Sequence, residues 1–107
     1  MEFVAGVAAC STGIAHTYMM AEAIKRACKR QGLRCKVETQ GAVGVENELS
    51  AQDVADADLI VLATDVRLEG ADRFEGLERK VVRIKPGALL AKPESIFDDV
   101  QGQADGE

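Results

Sequence analysis

Two stretches of the chain are apolar without interruption: Phe3 to Ala9 (FVAGVAA) and Leu59 to Ala63 (LIVLA). Small and branched residues in runs of this length suit strands buried on both faces of a parallel sheet. Two other stretches alternate. Leu33, Cys35, Val37 and Thr39 interleave with Arg34, Lys36, Glu38 and Gln40, and Val81, Val82 and Ile84 interleave with Lys80, Arg83 and Lys85. Alternation predicts half-exposed strands, hence sheet edges, the second stopped by Pro86-Gly87. Between the first two strands Ile14, Tyr18, Ala21, Ile24 and Cys28 recur at helical steps. Lys25, Arg26, Lys29 and Arg30 gather toward the end of that helix, where they complement its dipole, and Gly32 stops it. Gly41 to Asn47 reads as a glycine-bearing loop. Ser50 is an N-cap for a short helix through Val54, and Gly70 to Leu77 holds a helical turn. A last helix is expected from about Lys92-Pro93 to Val100, with 101–107 disordered.

Strands that alternate with helices imply a three-layer α/β/α domain on a parallel sheet. The two apolar strands belong at its centre and the two half-polar ones at its edges. With right-handed crossovers the four strands take the order 2-1-3-4, a flavodoxin- or Rossmann-like arrangement. Ligands of such sheets bind beyond the carboxyl ends of the central strands, where the order reverses. Cys10 follows the first central strand, and Asp65 lies just past the second.

Composition narrows the function. The chain has 107 residues, 47% hydrophobic, 29% charged and 4% aromatic, which fits one modest globular domain. No apolar run approaches the roughly 20 residues of a membrane span, and the N-terminus lacks the pattern of a secretory leader, so the expected location is the cytoplasm. The net charge of −5 belongs to the last fourteen residues, which hold Glu94, Asp98, Asp99, Asp105 and Glu107 and no base. No basic field for nucleic acid is present. Three cysteines without a C-x-x-C, and a single histidine, match neither a disulfide framework nor a zinc site, so no metal is expected.

The candidate chemistry lies at Cys10. A cysteine at the mouth of a loop that feeds a helix meets unpaired N–H groups and the positive end of the helix dipole. Both favour thiolate, the nucleophilic form. The same N–H groups make a cradle for phosphate oxygens, to which Ser11, Thr12 and Thr17 add hydroxyls and Gly13 a close backbone approach. The physical candidate is therefore a cysteine that accepts a phosphoryl group. Phosphatases with a Cys-x5-Arg loop use similar geometry, but here the sixth residue after Cys10 is His16, and no arginine stands in the loop to stabilise the equatorial oxygens during hydrolysis.

Cys10-Ser-Thr-Gly-Ile-Ala-His-Thr-Tyr, from Cys10 to Tyr18, closely resembles the active-site loop of the fructose-type enzyme IIB, the cytoplasmic B component of the phosphoenolpyruvate-dependent sugar phosphotransferase system. Val37 to Gly44 resembles the family's V-E-T-Q-G-[SA]-x-G, Ala57-Asp58 and Asp65 its strand-three segment, and Arg73-Phe74 its R-F pair. The resemblance covers roughly residues 3 to 85 and implies a four-stranded parallel sheet flanked by helices; the IIB domain is expected over residues 1–100, with 101–107 a disordered acidic tail or linker. It implies that Cys10 takes a phosphoryl group from phosphohistidine of the A component. Cys10 would then pass it to fructose, or a related hexose or hexitol, delivered by the membrane-embedded C component. Ser11, Thr12, Gly13, Ile14, Ala15, His16 and Thr17 form the phosphate loop in this reading, which needs no cofactor beyond a transient phosphocysteine and is expected of a monomer. Ser11 departs from the family's usual proline, giving a looser loop with one more donor.

Each residue has a plainer reading beside the functional one. Cys28, on the apolar helix stripe, and Cys35, facing inward from its strand, read as structural. His16 is a hydrogen-bond partner of the phosphocysteine or a first-turn residue that only packs. Gln40, Gly41 and Gly44 flank the loop or make a turn. Asp65 lies at the crevice, yet a carboxylate repels phosphate, which favours a capping role. Arg73 and Phe74 read as packing beneath the domain. Two other functions stand beside the carrier: a cysteine phosphatase or arsenate-reductase-like enzyme, and a regulatory module without catalysis.

Overall fold

In the computed structural model, which describes residues 2–10, 14–41, 44–68 and 70–97, the alternation of strands and helices is realised in order. The elements run β1 (Phe3–Ala9), α1 (Ile14–Arg30), β2 (Arg34–Gly41), β3 (Gly44–Glu46), α2 (Ala51–Asp56), β4 (Leu59–Thr64), β5 (Val81–Ile84) and α3 (Pro86–Ala91), with short 3-10 turns at Ala71–Phe74 and Glu78–Lys80. The sheet order is β3-β2-β1-β4-β5. β1 pairs in parallel with β2 and with β4, and β5 lies parallel to β4, so the four parallel strands stand in the expected order.

The strand count is corrected. The stretch expected as a loop from Gly41 to Asn47 contains β3, which pairs antiparallel with β2, Gly41 opposite Gly44 and Thr39 opposite Glu46. Three residues are too few to show an alternating pattern, so the pairing with β2 defines this strand. β2 is therefore internal instead of an edge. Its second half is also covered on both faces: Val37 packs with α1, while Glu38, expected to face solvent, is fully buried, and Gln40 nearly so.

α1 and α3 pack on one face of the sheet around Val4, Ala8, Leu59, Val61 and Val82. α2 and the turn at Phe74 cover the other around Ala5, Val7, Ile60 and Leu62. The buried stripe of α1 is Thr17, Met20, Ala21, Ile24, Ala27 and Cys28. Ala21, Ile24 and Cys28 are buried as expected, but Tyr18 is 40% exposed and its hydroxyl donates to Glu46 of β3. α1 ends as the sequence predicts: Leu33 N–H reaches back to the Cys28 carbonyl at 2.9 Å, and Gly32 takes a φ of 71°. Ser50 caps α2 through a reciprocal box, its hydroxyl accepting from Asp53 N–H while Asp53 accepts from Ser50 N–H, both at 3.0 Å.

One further helix, α3, was not expected. It runs from Pro86, expected as a strand terminator, to Ala91, and precedes the helix expected from Lys92-Pro93. Proline fits the first helical turn because no partner waits for its missing N–H, and Pro93 blocks continuation at the other end. Within the expected helix, residues 95–97 are helical, with Phe97 N–H to the Glu94 carbonyl at 3.1 Å, and Ile96 is buried. Residues 98–100 of the expected helix, and the tail 101–107 expected to be disordered, lie outside the described residues.

Candidate active site

At the carboxyl edge of the sheet, Gln40, Ala9 and Thr64 stand side by side in register. The next residue on each strand path is therefore Gly41, Cys10 and Asp65. Cys10 is half-buried, packed on one side against the core. Its Sγ lies 3.1 Å from Nδ1 of His16, in the first turn of α1, and 4.0 Å from Oδ2 of Asp65. Asp65 is held beside it by a tight local turn, in which the Thr64 hydroxyl accepts from Val66 N–H and donates to the Val66 carbonyl, both at 2.9 Å.

Of the expected loop residues, Ser11, Thr12 and Gly13, and the side chain of Ile14, lie outside the described residues. Ala15 is exposed, His16 is half-buried against Cys10, and Thr17 is buried on the core face of α1. Gly41 is exposed at the end of β2. The Gln40 amide donates at 2.6 Å to Glu38 Oε2, below the edge. The structure thus joins Cys10, His16 and Asp65, and ties Gln40 to Glu38 on the opposite face of the sheet.

Glu38 is the centre of a charged network on that face. Arg73 donates through Nη1 to Glu38 Oε1 at 2.7 Å and through Nη2 to Glu38 Oε2 at 3.0 Å. Leu49 N–H donates to Glu38 Oε1 at 2.8 Å, while Arg73 also reaches the carbonyls of Leu49 and Gly70. Burial pushes the Glu38 carboxyl up, but the hydrogen bonds from Arg73, Gln40 and Leu49 outweigh it and hold the group below its ordinary range. Phe74 is buried and the Arg73 guanidinium lies 5.0 Å from its ring centre, so the pair packs as the sequence reading had it. Sequence reasoning missed Glu38 as the anchor. The available signal was a carboxylate inside the V-E-T-Q-G segment together with an arginine in the R-F pair.

Among the described residues, no group of three or more His, Cys, Asp or Glu side chains could hold a metal, and no helix is long and apolar enough to cross a membrane.

Residues 5–99 match the family described as "PTS system, Lactose/Cellobiose specific IIB subunit". Over 101 residues the chain is 41% identical to the PTS system fructose-like EIIB component 2 of Escherichia coli (strain K12), covering 94% of this chain and 93% of that one. The chain belongs to the IIB family of the sugar phosphotransferase system. It is also 44% identical over 95 residues to the PTS system fructose-specific EIIB'BC component of Haemophilus influenzae, covering 89% of this chain and 16% of that longer protein. Among solved structures, a domain of the fructose-specific IIABC component from Borrelia burgdorferi superposes with a TM-score of 0.84 at 34% identity, covering 92% of each chain. The IIB fold accounts for the parallel sheet order, and the motif resemblance read from the sequence is borne out at the level of the family.

Proposed function

We propose that this IIB chain is a phosphoryl carrier in fructose-type sugar uptake and that Cys10 is the residue that carries the phosphoryl group. The supporting observation is the position of its sulfur: at the carboxyl edge of the central strand, half-buried, ahead of the 17-residue α1 and 3.1 Å from His16 Nδ1. With the proton on Nδ1, the imidazole donates to the sulfur and favours the thiolate. The helix end acts in the same direction.

The transfer is a pair of in-line displacements. The Cys10 thiolate attacks phosphorus, the S–P bond forms, and the N–P bond to the A component's histidine breaks. A sugar hydroxyl next attacks the same phosphorus, the O–P bond forms with loss of the hydroxyl proton, and the S–P bond breaks to regenerate the thiolate. Such steps depend mainly on positioning and on stabilising the equatorial oxygens. Ser11 to Thr17 supply that cradle in this reading, with Gly41 and Asp65 around it, and no resident cofactor takes part. Residues 1–100 form the IIB domain, and 101–107 serve as tail or linker. Relatives named EIIB'BC support a C component as the partner on the acceptor side. The donor is the A component, and the exchange takes place at the cytoplasmic face of the membrane. The Arg73 guanidinium is committed to Glu38 on the face of the sheet opposite Cys10, which supports carriage over hydrolysis.

Incubation with a phosphorylated fructose-type A component, followed by mass-spectrometric mapping, is expected to find the phosphoryl group on Cys10. Cys10→Ala is expected to accept none while still unfolding cooperatively. Equal phosphorylation of that variant, or a phosphoryl group on another residue, overturns the assignment.

A further inference from the structure

The Cys10 sulfur has two neighbours of opposite effect. His16 Nδ1 lies 3.1 Å away and, when it bears the proton, donates to the sulfur. Oδ2 of Asp65 lies 4.0 Å away and, in a carboxylate, offers only lone pairs. The backbone fixes Asp65 at that place. The pairing of Ala9 with Thr64 brings it beside Cys10, and the Thr64 hydroxyl closes the turn through Val66, both bonds at 2.9 Å. An acid is a poor ligand for phosphate, since it gives the anion no hydrogen bond and repels it.

Loading and unloading change the charge that Asp65 faces. As the phosphoryl group arrives, the S–P bond forms and the N–P bond of the donor breaks. The electron pair of that bond stays on the histidine nitrogen, and the proton given up by Cys10 ends on the departing imidazole. A sulfur with at most one negative charge then bears a group with about −1.5 to −2 at pH 7. A thiol can donate to Asp65, whereas a phosphocysteine has no such proton. From either starting form, loading brings negative charge toward Asp65, and delivery to the sugar takes it away.

We propose that Asp65 sets the transfer potential of the carrier: its carboxylate raises the energy of the phosphocysteine above that of the free cysteine, so that the group is passed on instead of held. The inference rests on Cys10 as the carrying residue. Asp65 is exposed, so water screens its charge. The penalty is therefore large enough to tilt an equilibrium and too small to prevent loading. Removing the charge is expected to favour the loaded form by about threefold to tenfold.

The test mixes the full chain with an equimolar fructose-type A component carrying one phosphoryl group. The partition between phosphocysteine and phosphohistidine is read by phosphorus NMR, with the equilibrium approached from both sides. Asp65→Asn should raise the equilibrium constant for loading by that factor. Asp65→Ala, which adds no donor, should move it the same way, and Asp65→Glu should stay nearer wild type. The ratio of the Asn variant to wild type should shrink as salt rises from about 0.02 M to about 1 M, where charges are screened within a few ångströms. Thermal melts check that each variant is folded. If Cys10 is loaded equally in wild type, Asn and Ala variants, the carrier reading stands and the role of Asp65 falls. That role is also overturned if the constant drops, if Glu shifts it as far as Asn, or if the ratio ignores salt, for Asp65 then acts through its turn instead of its charge. A phosphoryl group found on another residue overturns both.

Discussion

Arg73 grips both carboxylate oxygens of Glu38 beneath the second strand, at 2.7 and 3.0 Å, where the Glu38 side chain is 1% accessible and that of Arg73 16%. The two residues come from segments 35 positions apart, so their pairing locks the turn at Ala71–Phe74 onto β2. Replacing Arg73 by leucine leaves a buried carboxylate without its partner, and chemical denaturation is expected to show a loss of about 3–5 kcal/mol. Arg73→Lys keeps the charge but not the planar fork, so an intermediate loss is expected. Equal stability of the leucine variant would show that the pair does not hold the turn.

The same network sets the acid limit of the fold. The carboxyl of Glu38 lies below its ordinary value in the folded chain, so its contribution is complete above the unfolded glutamate value of about 4.3 and is lost as pH falls through the lower folded value. Asp53, held at about 2 by its hydrogen bond from Lys36 and by the Ser50 backbone, has the same sign. Thermal melts are expected to be level from neutral pH to about 5 and to decline progressively below about 4. In Glu38→Gln that decline should be shallower, and an unchanged slope would exclude Glu38 as its source.

The carboxylate of Asp65, 4.0 Å from the Cys10 sulfur, opposes the negative charge of a thiolate. In wild type the pH profile of iodoacetamide alkylation at Cys10 is expected to have its midpoint below the roughly 8.5 of a free cysteine. Asp65→Asn should move that midpoint down by roughly half a unit, as expected for a charge screened by water at this distance. An upward shift would mean that Asp65 acts through the loop conformation instead of its charge.

Gly70 adopts a φ of 69°, and a Cβ there would lie 2.9 Å from Arg73 Nε and 3.1 Å from Nη2. Gly70→Ala therefore meets two penalties, a left-handed backbone worth about 1 kcal/mol and displacement of the guanidinium that pairs with Glu38. A total near 2 kcal/mol is expected in urea denaturation. Combined with Arg73→Leu, the two changes should cost less than their sum, since they disturb one network.

The motif from Cys10 to Tyr18 was legible because a nucleophile, a glycine and a helix start are adjacent in the chain. What lies around the thiol was less so. His16 falls within reach because α1 starts just before it, a local matter, whereas Asp65 arrives only through the pairing of Ala9 with Thr64. Tyr18, apolar enough to join a stripe on paper, is turned outward because Glu46 of β3 receives its hydroxyl.

The two central strands, the helix between them, its stop at Gly32 and the position of Cys10 were determined by the sequence alone. Continuous apolar runs, helical spacing and capping residues act over a few neighbours and need no distant partner. The tertiary structure decided that β2 is internal, that Glu38 is buried and that a helix opens on Pro86. A polar residue is buried only when something far along the chain satisfies it, and a three-residue strand exists only by its pairing. Both depend on contacts that no local pattern encodes.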